Sequence, residues 1–228
     1  IGPDPNAEVI DFTSFQSVVS SPSIDTRGIR RSAVMFRPGT TATMHLPGGG
    51  TQPLTSMTVH ATEYTVGDSG PDAMPGPLPR SSGYTYAVEY TVDEAEAVGA
   101  TKVSLDPPAV AYVENFTEFP VDSTAVPVGA WNPQTSAWEP SEDGVILEIL
   151  SVDPSGLAII DIDGDGAAEP AAVLASHGID DDEREELGSI YGAGARLWRA
   201  EISHFSGYDL NWGVKPPEDA ETSPDLPT

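Results

Sequence analysis

Cysteine is absent from the chain, which excludes a disulfide framework, a thiolate metal site and a cysteine nucleophile, and leaves the redox compartment open. Positive charge is scarce too: Lys and Arg number 10 against 36 Asp and Glu, a formal net charge of −26 over 228 residues. A protein that tracks duplex nucleic acid draws its affinity from cations that neutralise phosphates, and an anionic membrane repels an acidic surface, so neither partner is expected. No run approaches the roughly eighteen apolar residues of a bilayer-spanning helix, so no membrane insertion is expected. The start, Ile1-Gly2-Pro3-Asp4-Pro5, has neither the basic nor the apolar region of an export signal. With Pro216-Pro217-Glu218-Asp219 opening a polar tail, the sequence reads as a piece of a longer polypeptide. Its expected partners are neighbouring domains of that polypeptide, or another protein.

What is present is enough for a core: 39% hydrophobic residues and 22 glycines. The central stretch alternates with period two between turn residues, the pattern of half-buried strands. In the clearest run Tyr84, Tyr86, Val88, Tyr90 and Val92 share one face and Thr85, Ala87, Glu89 and Thr91 the other. Further strands are predicted over residues 32–36, 41–46, 56–66, 101–105, 110–116, 145–152, 157–161 and 197–205. A total of about nine argues a mainly β fold, an antiparallel β-sandwich. Residues 67–83, rich in proline, read as a surface loop or lid. Helical signals are short: one turn at 93–97, and an insertion at about 170–191 in which Asp180 precedes Glu183 at capping-box spacing. The expected organisation is a linker at 1–29, a module at 30–213 with its insertion at about 161–191, and an acidic, proline-bearing linker at 214–228.

Two constellations could carry chemistry. In Asp161-Ile162-Asp163-Gly164-Asp165-Gly166, carboxylates at alternate positions converge on a hard cation if the chain turns sharply, and glycine permits the turn. The expected ion is a structural calcium. Ala167 supplies a carbonyl and Glu169 a direct or water-mediated ligand, while Ala172 stands where an EF-hand places its last glutamate. The completing ligand must come from elsewhere, with Asp180, Asp181, Asp182 and Glu183 as candidates. A solvated acidic turn is the plainer alternative.

The second constellation is His204-Phe205-Ser206. On a regular strand His204 and Ser206 share a face with Trp198, Ala200 and Ile202, and Phe205 points the other way. A hydroxyl set against its own preceding carbonyl can attack it, and the N→O acyl shift makes an ester that water hydrolyses. His204, or a histidine from another strand, would act as base, and backbone strain would help. The plainer reading is a structural histidine near a strand end. His45, His60 and His177 show no zinc-binding spacing. Trp131, Trp138, Trp198 and Trp212 are read as packing in preference to a carbohydrate platform. No nucleophile elbow, P-loop or dinucleotide pattern occurs, and no trans activity is expected.

Longer strings carry a resemblance. The run from Thr58 to Gly67, then Ala73-Met74-Pro75-Gly76, Ser82 to Glu89, Tyr112-Val113-Glu114-Asn115-Phe116, Val126-Pro127-Val128-Gly129 and His204 to Trp212 resemble a module of large bacterial Rhs/YD-repeat proteins. That resemblance implies a secreted or cell-surface chain whose repeats form a β-shell around a toxic or variable C-terminus. A β-sandwich ending in His-Phe-Ser is also similar to ZU5-type domains of the FIIND class, which cleave themselves between Phe and Ser. Carried over, it makes Phe205–Ser206 the scissile bond, Ser206 the nucleophile and His204 the assisting residue. That class also uses a further histidine and an acid, and His60 and His177 are the candidates for the histidine. The expectation is therefore a ZU5-like, self-processing module, the alternative being an uncleaved calcium-stabilised spacer or adhesion domain.

Overall fold

A computed structural model describes residues 2–64, 70–79, 82–122 and 125–212. Its strands are β1 (Ala7–Ile10), β2 (Gln16–Val19), β3 (Ser23–Asp25), β4 (Gly28–Arg30), β5 (Ser32–Phe36), β6 (Thr41–His45), β7 (Thr51–Leu54), β8 (Met57–Glu63), β9 (Ala87–Val92), β10 (Lys102–Glu114), β11 (Ala125–Val126), β12 (Gly129–Asn132), β13 (Ala137–Pro140), β14 (Gly144–Val152), β15 (Ala158–Asp161), β16 (Arg196–Phe205) and β17 (Gly207–Asp209). The helices are α1 (Asp93–Ala97), α2 (Ala171–Ser176) and α3 (Asp181–Ile190). The fold is mainly β, with antiparallel sheets consistent with a β-sandwich.

The smaller sheet has six strands in the order β1-β8-β9-β17-β12-β13. The larger has nine, with the path β11-β14-β16-β10-β5-β2, β15 on β14, and β6 and β7 beyond β10. Between the two sheets lies the main core, to which the smaller contributes Met57, Val59, Val88, Tyr90 and Tyr208 and the larger Phe36, Val103, Ala111, Trp198 and Ile202. The alternation read from Tyr84 onward holds from Tyr86 through β9, where Tyr86, Val88, Tyr90 and Val92 are buried and Glu89 and Thr91 half-buried; Ala87, expected on the other face, is buried as well, and Tyr84 is half-buried.

A second core lies on the other face of the larger sheet, where Met35, Val110, Tyr112, Leu147 and Leu197 meet Leu174, Ile179, Leu187 and Tyr191 of the helical insertion. This third layer explains why β5 reads Ser-Ala-Val-Met-Phe without alternation. Every residue of that strand is buried, since both of its faces are covered.

The structure corrects two boundaries. The segment 2–29, expected as a linker, contributes strands: Ala7 to Ile10 pair with His60 to Met57 in the smaller sheet, Gln16 to Val19 pair with Phe36 to Ala33 in the larger, β3 pairs with β4 in a separate two-stranded sheet, and Ile10, Phe12 and Val18 are in the main core. These strands are short and interrupted by polar turns, too brief for a periodicity to register. The two strands expected over 101–105 and 110–116 form one, β10, with a register break between Ser104 and Ala109. The acidic tail at 214–228, residues 65–66 of the strand expected to end there, and part of the expected lid lie outside the described residues.

The helical insertion is fastened by charge as well as by apolar contact. Asp180 caps α3, its carboxylate accepting the Glu183 amide at 2.8 Å, as the capping-box spacing predicts. The reciprocal half of the box is missing, because the Glu183 side chain turns into the sheet. It is fully buried and accepts hydrogen bonds from Arg199 Nε at 2.8 Å, from the Arg37 guanidinium and from the Tyr112 hydroxyl. Burial and the Glu183 charge push the Tyr112 hydroxyl well above its ordinary pKa. Removing the Glu183 carboxylate leaves the Arg199 guanidinium charged and dry, at a cost of about 3–5 kcal/mol. Glu183→Ala is therefore expected to lower unfolding free energy by that amount in urea titration. Asp181→Ala, which breaks only the exposed pair with Arg184, is expected to cost under about 1 kcal/mol.

Candidate functional site

The His-Phe-Ser segment sits where the chain changes sheets. On β10, Pro107 and Pro108 have no amide hydrogen to give to a ladder. The β10–β16 pairing breaks there: Ala109 is opposite Ile202, and Ser104 and Val103 are opposite His204 and Phe205. The break shifts the alternation of β16. Trp198, Ala200 and Ile202 face the core as expected, but the next core residue is Phe205, not His204. The Phe205 ring packs against Phe36 of the larger sheet, with centroids 6.1 Å apart, and against Tyr90 of the smaller one, 6.2 Å away. The face assignment made from a regular strand is thus overturned for His204 and Ser206, because Phe205 fills the corner between the sheets.

His204 and Ser206 are nevertheless neighbours. Ser206 Oγ lies 3.4 Å from His204 Nε2 and donates to the Gly207 carbonyl at 3.1 Å. The other ring nitrogen, Nδ1, is 3.2 Å from both the Ser203 and the Tyr208 hydroxyls. Burial, with a smaller contribution from the Lys102 ammonium, holds the His204 imidazole down at about 4, so it is neutral at physiological pH. In that state it can accept a proton from an alcohol. The left-handed backbone found at Phe12, Glu118 and Ser136 does not extend to Phe205 or Ser206, so no strain of that kind adds to the site.

The covalent bond between Phe205 and Ser206 is the junction of the two sheets. Phe205 is the last residue paired in the larger sheet, whereas the Ser206 carbonyl accepts the Tyr90 amide of the smaller one at 3.2 Å. From there β17 runs between β9 and β12, with Gly207, Tyr208 and Asp209 opposite Glu89, Val88 and Ala87. Beyond it, Leu210 N donates to Tyr86 O at 2.9 Å, the Asn211 side chain accepts the Thr85 and Tyr86 amides, and Trp212 stacks on Phe119 with centroids 4.1 Å apart. The loop read as a lid reaches the same strand. Trp138 Nε1 donates to Gly76 O at 3.1 Å, and Pro75 and Trp138 flank Gly207.

Neither distal histidine guess is brought to this site. His60 is hydrogen-bonded to the Asp4 carbonyl at 2.7 Å and the Asp93 carboxylate at 3.1 Å, and His177 ends α2. His45 binds Ser104 Oγ at 2.8 Å. The tryptophans form no common platform: Trp131 and Trp138 make one edge-to-face pair, Trp198 and Trp212 another. The residues around His204 that sequence reasoning missed are Tyr208, Ser203 and Lys102. Only the sheet-switching corner brings Tyr208 back over the imidazole, and no linear spacing signals it.

The acidic loop follows β15. Asp161 is buried, and its two oxygens accept the Gly164 and Gly166 amides at 2.7 and 2.8 Å. Glu169 Oε1 accepts the Ile162 and Asp163 amides at 3.1 and 3.3 Å. Asp161, Asp163 and Glu169 each place one oxygen within 4.8 Å of the others, compatible with ligands at roughly 2.4 Å from one calcium ion. Asp165 stands outside that triad and accepts the Ala167 amide at 2.7 Å, so Ala167 enters the loop as a donor. The suggested completing acids have other tasks: Asp180 caps α3, Asp181 pairs with Arg184, and Glu183 is held by the arginines, while Asp182 is exposed. The turn depends on Gly164, at φ +77°, where a Cβ would lie 1.6 Å from the Val121 carbonyl oxygen.

The depressed His204 pKa carries a sign for stability. As pH falls through about 6.5 the unfolded chain protonates first, so this residue's contribution to stability is lost between pH 6.5 and about 4. His204→Gln should flatten the pH dependence of the unfolding free energy in that window; an unchanged slope would contradict the burial of the imidazole. Comparison of the chain with models of known protein families, with curated proteins and with solved structures finds no match.

Proposed function

We propose that this chain is a self-processing β-sandwich module, ZU5-like in fold, that cuts itself between Phe205 and Ser206. The observation that carries the reading is a neutral imidazole 3.4 Å from the Ser206 hydroxyl at the bond joining the two sheets. Ser206 Oγ attacks the Phe205 carbonyl carbon while His204 Nε2 takes the hydroxyl proton. The carbon–nitrogen bond then breaks, the proton passes to the leaving amine, and an ester links Phe205 to Ser206. Water hydrolyses that ester, leaving a carboxylate on Phe205 and a free amine and hydroxyl on Ser206. The event is single-turnover, with no outside substrate.

Scission at this bond breaks no strand pairing, since the ladder of β16 ends at Phe205 and that of β17 begins beyond it. The C-terminal piece remains seated through β17, Leu210, Asn211 and Trp212. Such retention suits a module of a large secreted or surface Rhs-type polypeptide, with neighbouring domains as its partners. Intact-mass measurement is expected to find fragments 1–205 and 206–228 from the wild type, co-eluting under native conditions, and one uncut chain from Ser206→Ala. An uncut wild-type chain through folding and storage would refute self-processing.

The acidic loop belongs to the same reading as a structural calcium site, with Asp161, Asp163 and Glu169 as the carboxylates that would hold the ion. Bound calcium would neutralise their mutual repulsion and tie the start of the helical insertion to β15. Chelation is expected to lower the thermal midpoint and added calcium to restore it. In Asp161→Asn the chelator should have little effect; an equal shift in wild type and variant would argue against this site.

A further inference from the structure

Resting on the self-processing reading, we infer that Tyr208 is a positioning residue that fixes the tautomer of His204, leaving Nε2 bare toward the Ser206 hydroxyl. A neutral imidazole carries its proton on one nitrogen, and only the bare nitrogen can act as base. For Ser206 that nitrogen must be Nε2, so the proton has to reside on Nδ1.

Tyr208 supplies the means. Its hydroxyl has a single hydrogen, and that hydrogen is committed: it donates to the His204 carbonyl at 2.8 Å. At Nδ1, 3.2 Å away, the same oxygen can therefore only accept, which places the ring proton on Nδ1. The phenol is well placed to hold this arrangement. It is fully buried, its ring packs against Tyr90 with centroids 5.9 Å apart, and its backbone pairs with Val88 and Ala130 on either side. Burial pushes its own pKa up, so it stays protonated. Ser203, the other hydroxyl near Nδ1, is also a hydrogen-bond partner of the Tyr208 hydroxyl, but it lies on an exposed residue, whereas the Tyr208 oxygen is fixed in the core.

The chain also ties the holder to the bond being cut. Tyr208 lies two residues past Ser206, on the C-terminal side of the bond, and holds the histidine on the N-terminal side. Both the main-chain carbonyl and the ring of His204 are gripped by one oxygen, so orientation and tautomer are set together. A tyrosine that served only packing would fill the core equally well as phenylalanine and would have no bearing on the ring proton.

The test uses the full chain with Ser206→Ala, which cannot cut itself, labelled with ¹⁵N-histidine and read by long-range ¹H–¹⁵N correlation at neutral pH. The His204 signal is assigned by its loss in His204→Gln. The expected signature is the Nδ1–H tautomer, and an Nε2–H tautomer overturns the inference. Adding Tyr208→Phe is expected to abolish the single Nδ1–H form while the signals of His45, His60 and His177 stay in place, reporting an intact fold. Adding Ser203→Ala is expected to change nothing at His204. Retention of the Nδ1–H form in Tyr208→Phe, or its loss in Ser203→Ala, assigns the role elsewhere and overturns the proposal. In the chain with Ser206 intact, Tyr208→Phe should slow scission by about tenfold or more. Absence of scission in the wild type would overturn the self-processing reading alone, since the tautomer is read without it.

Discussion

One residue separates β16, a central strand of the larger sheet, from β17, a central strand of the smaller one, and that crossing at Ser206 organises the molecule. A strand can leave one sheet for another only at a corner, where a bend replaces the ladder. Here the corner is opened by the prolines of β10 and filled by Phe205, which touches one aromatic ring from each sheet. Everything chemically notable about the segment follows. With Phe205 turned inward, His204 is displaced to the outer side beside Lys102, and the chain after Ser206 folds back so that Tyr208 meets the imidazole.

The same corner explains why the proposed scission would be tolerated. Backbone hydrogen bonds and apolar contacts of the C-terminal strand run to β9 and β12, not through the bond to Phe205. A cut would remove a covalent link and leave the non-covalent ones in place. Burial pushes the Asp209 carboxyl up to about 6, so the strand carries one acid that resists ionisation in its present surroundings. The strand is thus held by packing and ladder pairing, with Asp209 standing over Gly129, which offers no side chain to crowd it.

Charge is distributed on a comparable logic. In so acidic a chain the arginines are spent internally: among the described residues each lies in an ion pair, Arg27, Arg30, Arg31, Arg37, Arg184, Arg196 and Arg199 alike. Two of these sites are deeply buried. Arg30 is held by Asp25 and Glu63 under the Phe116 ring, and Arg199 by Glu183 and Tyr112. The first pins the β3–β4 hairpin to the end of β8, and the second pins α3 to the larger sheet. Among the described residues no arginine pairs with the acids of the loop at Asp161, and main-chain amides take the Asp161 and Glu169 carboxylates instead.

How much of this was legible beforehand varied with the range of the interaction. Alternation along residues 84–92, the cap at Asp180 and the glycine-dependent acidic turn are set by neighbours within a few positions, and each could be read from the sequence. The short N-terminal strands could not, because a four-residue strand shows no period and is defined by its partner. The third layer over β5 was hidden for a related reason: an unbroken apolar run reports burial on both faces but not what covers them. Glu183 looked like half of a capping box or a calcium ligand, and only the approach of Arg199 and Arg37 from distant strands makes it a buried anchor.

The sequence by itself determined that this is a mainly β chain with an acidic turn, a short helical insertion and a histidine next to a serine across one phenylalanine. Those features depend on residue type and local spacing. The tertiary structure alone decided which way that phenylalanine points, which acids converge with Asp161, and which hydroxyl meets the far side of the imidazole. Strand register is a property of pairs, and a break in β10, about a hundred residues upstream, changes the face on which every later residue of β16 falls.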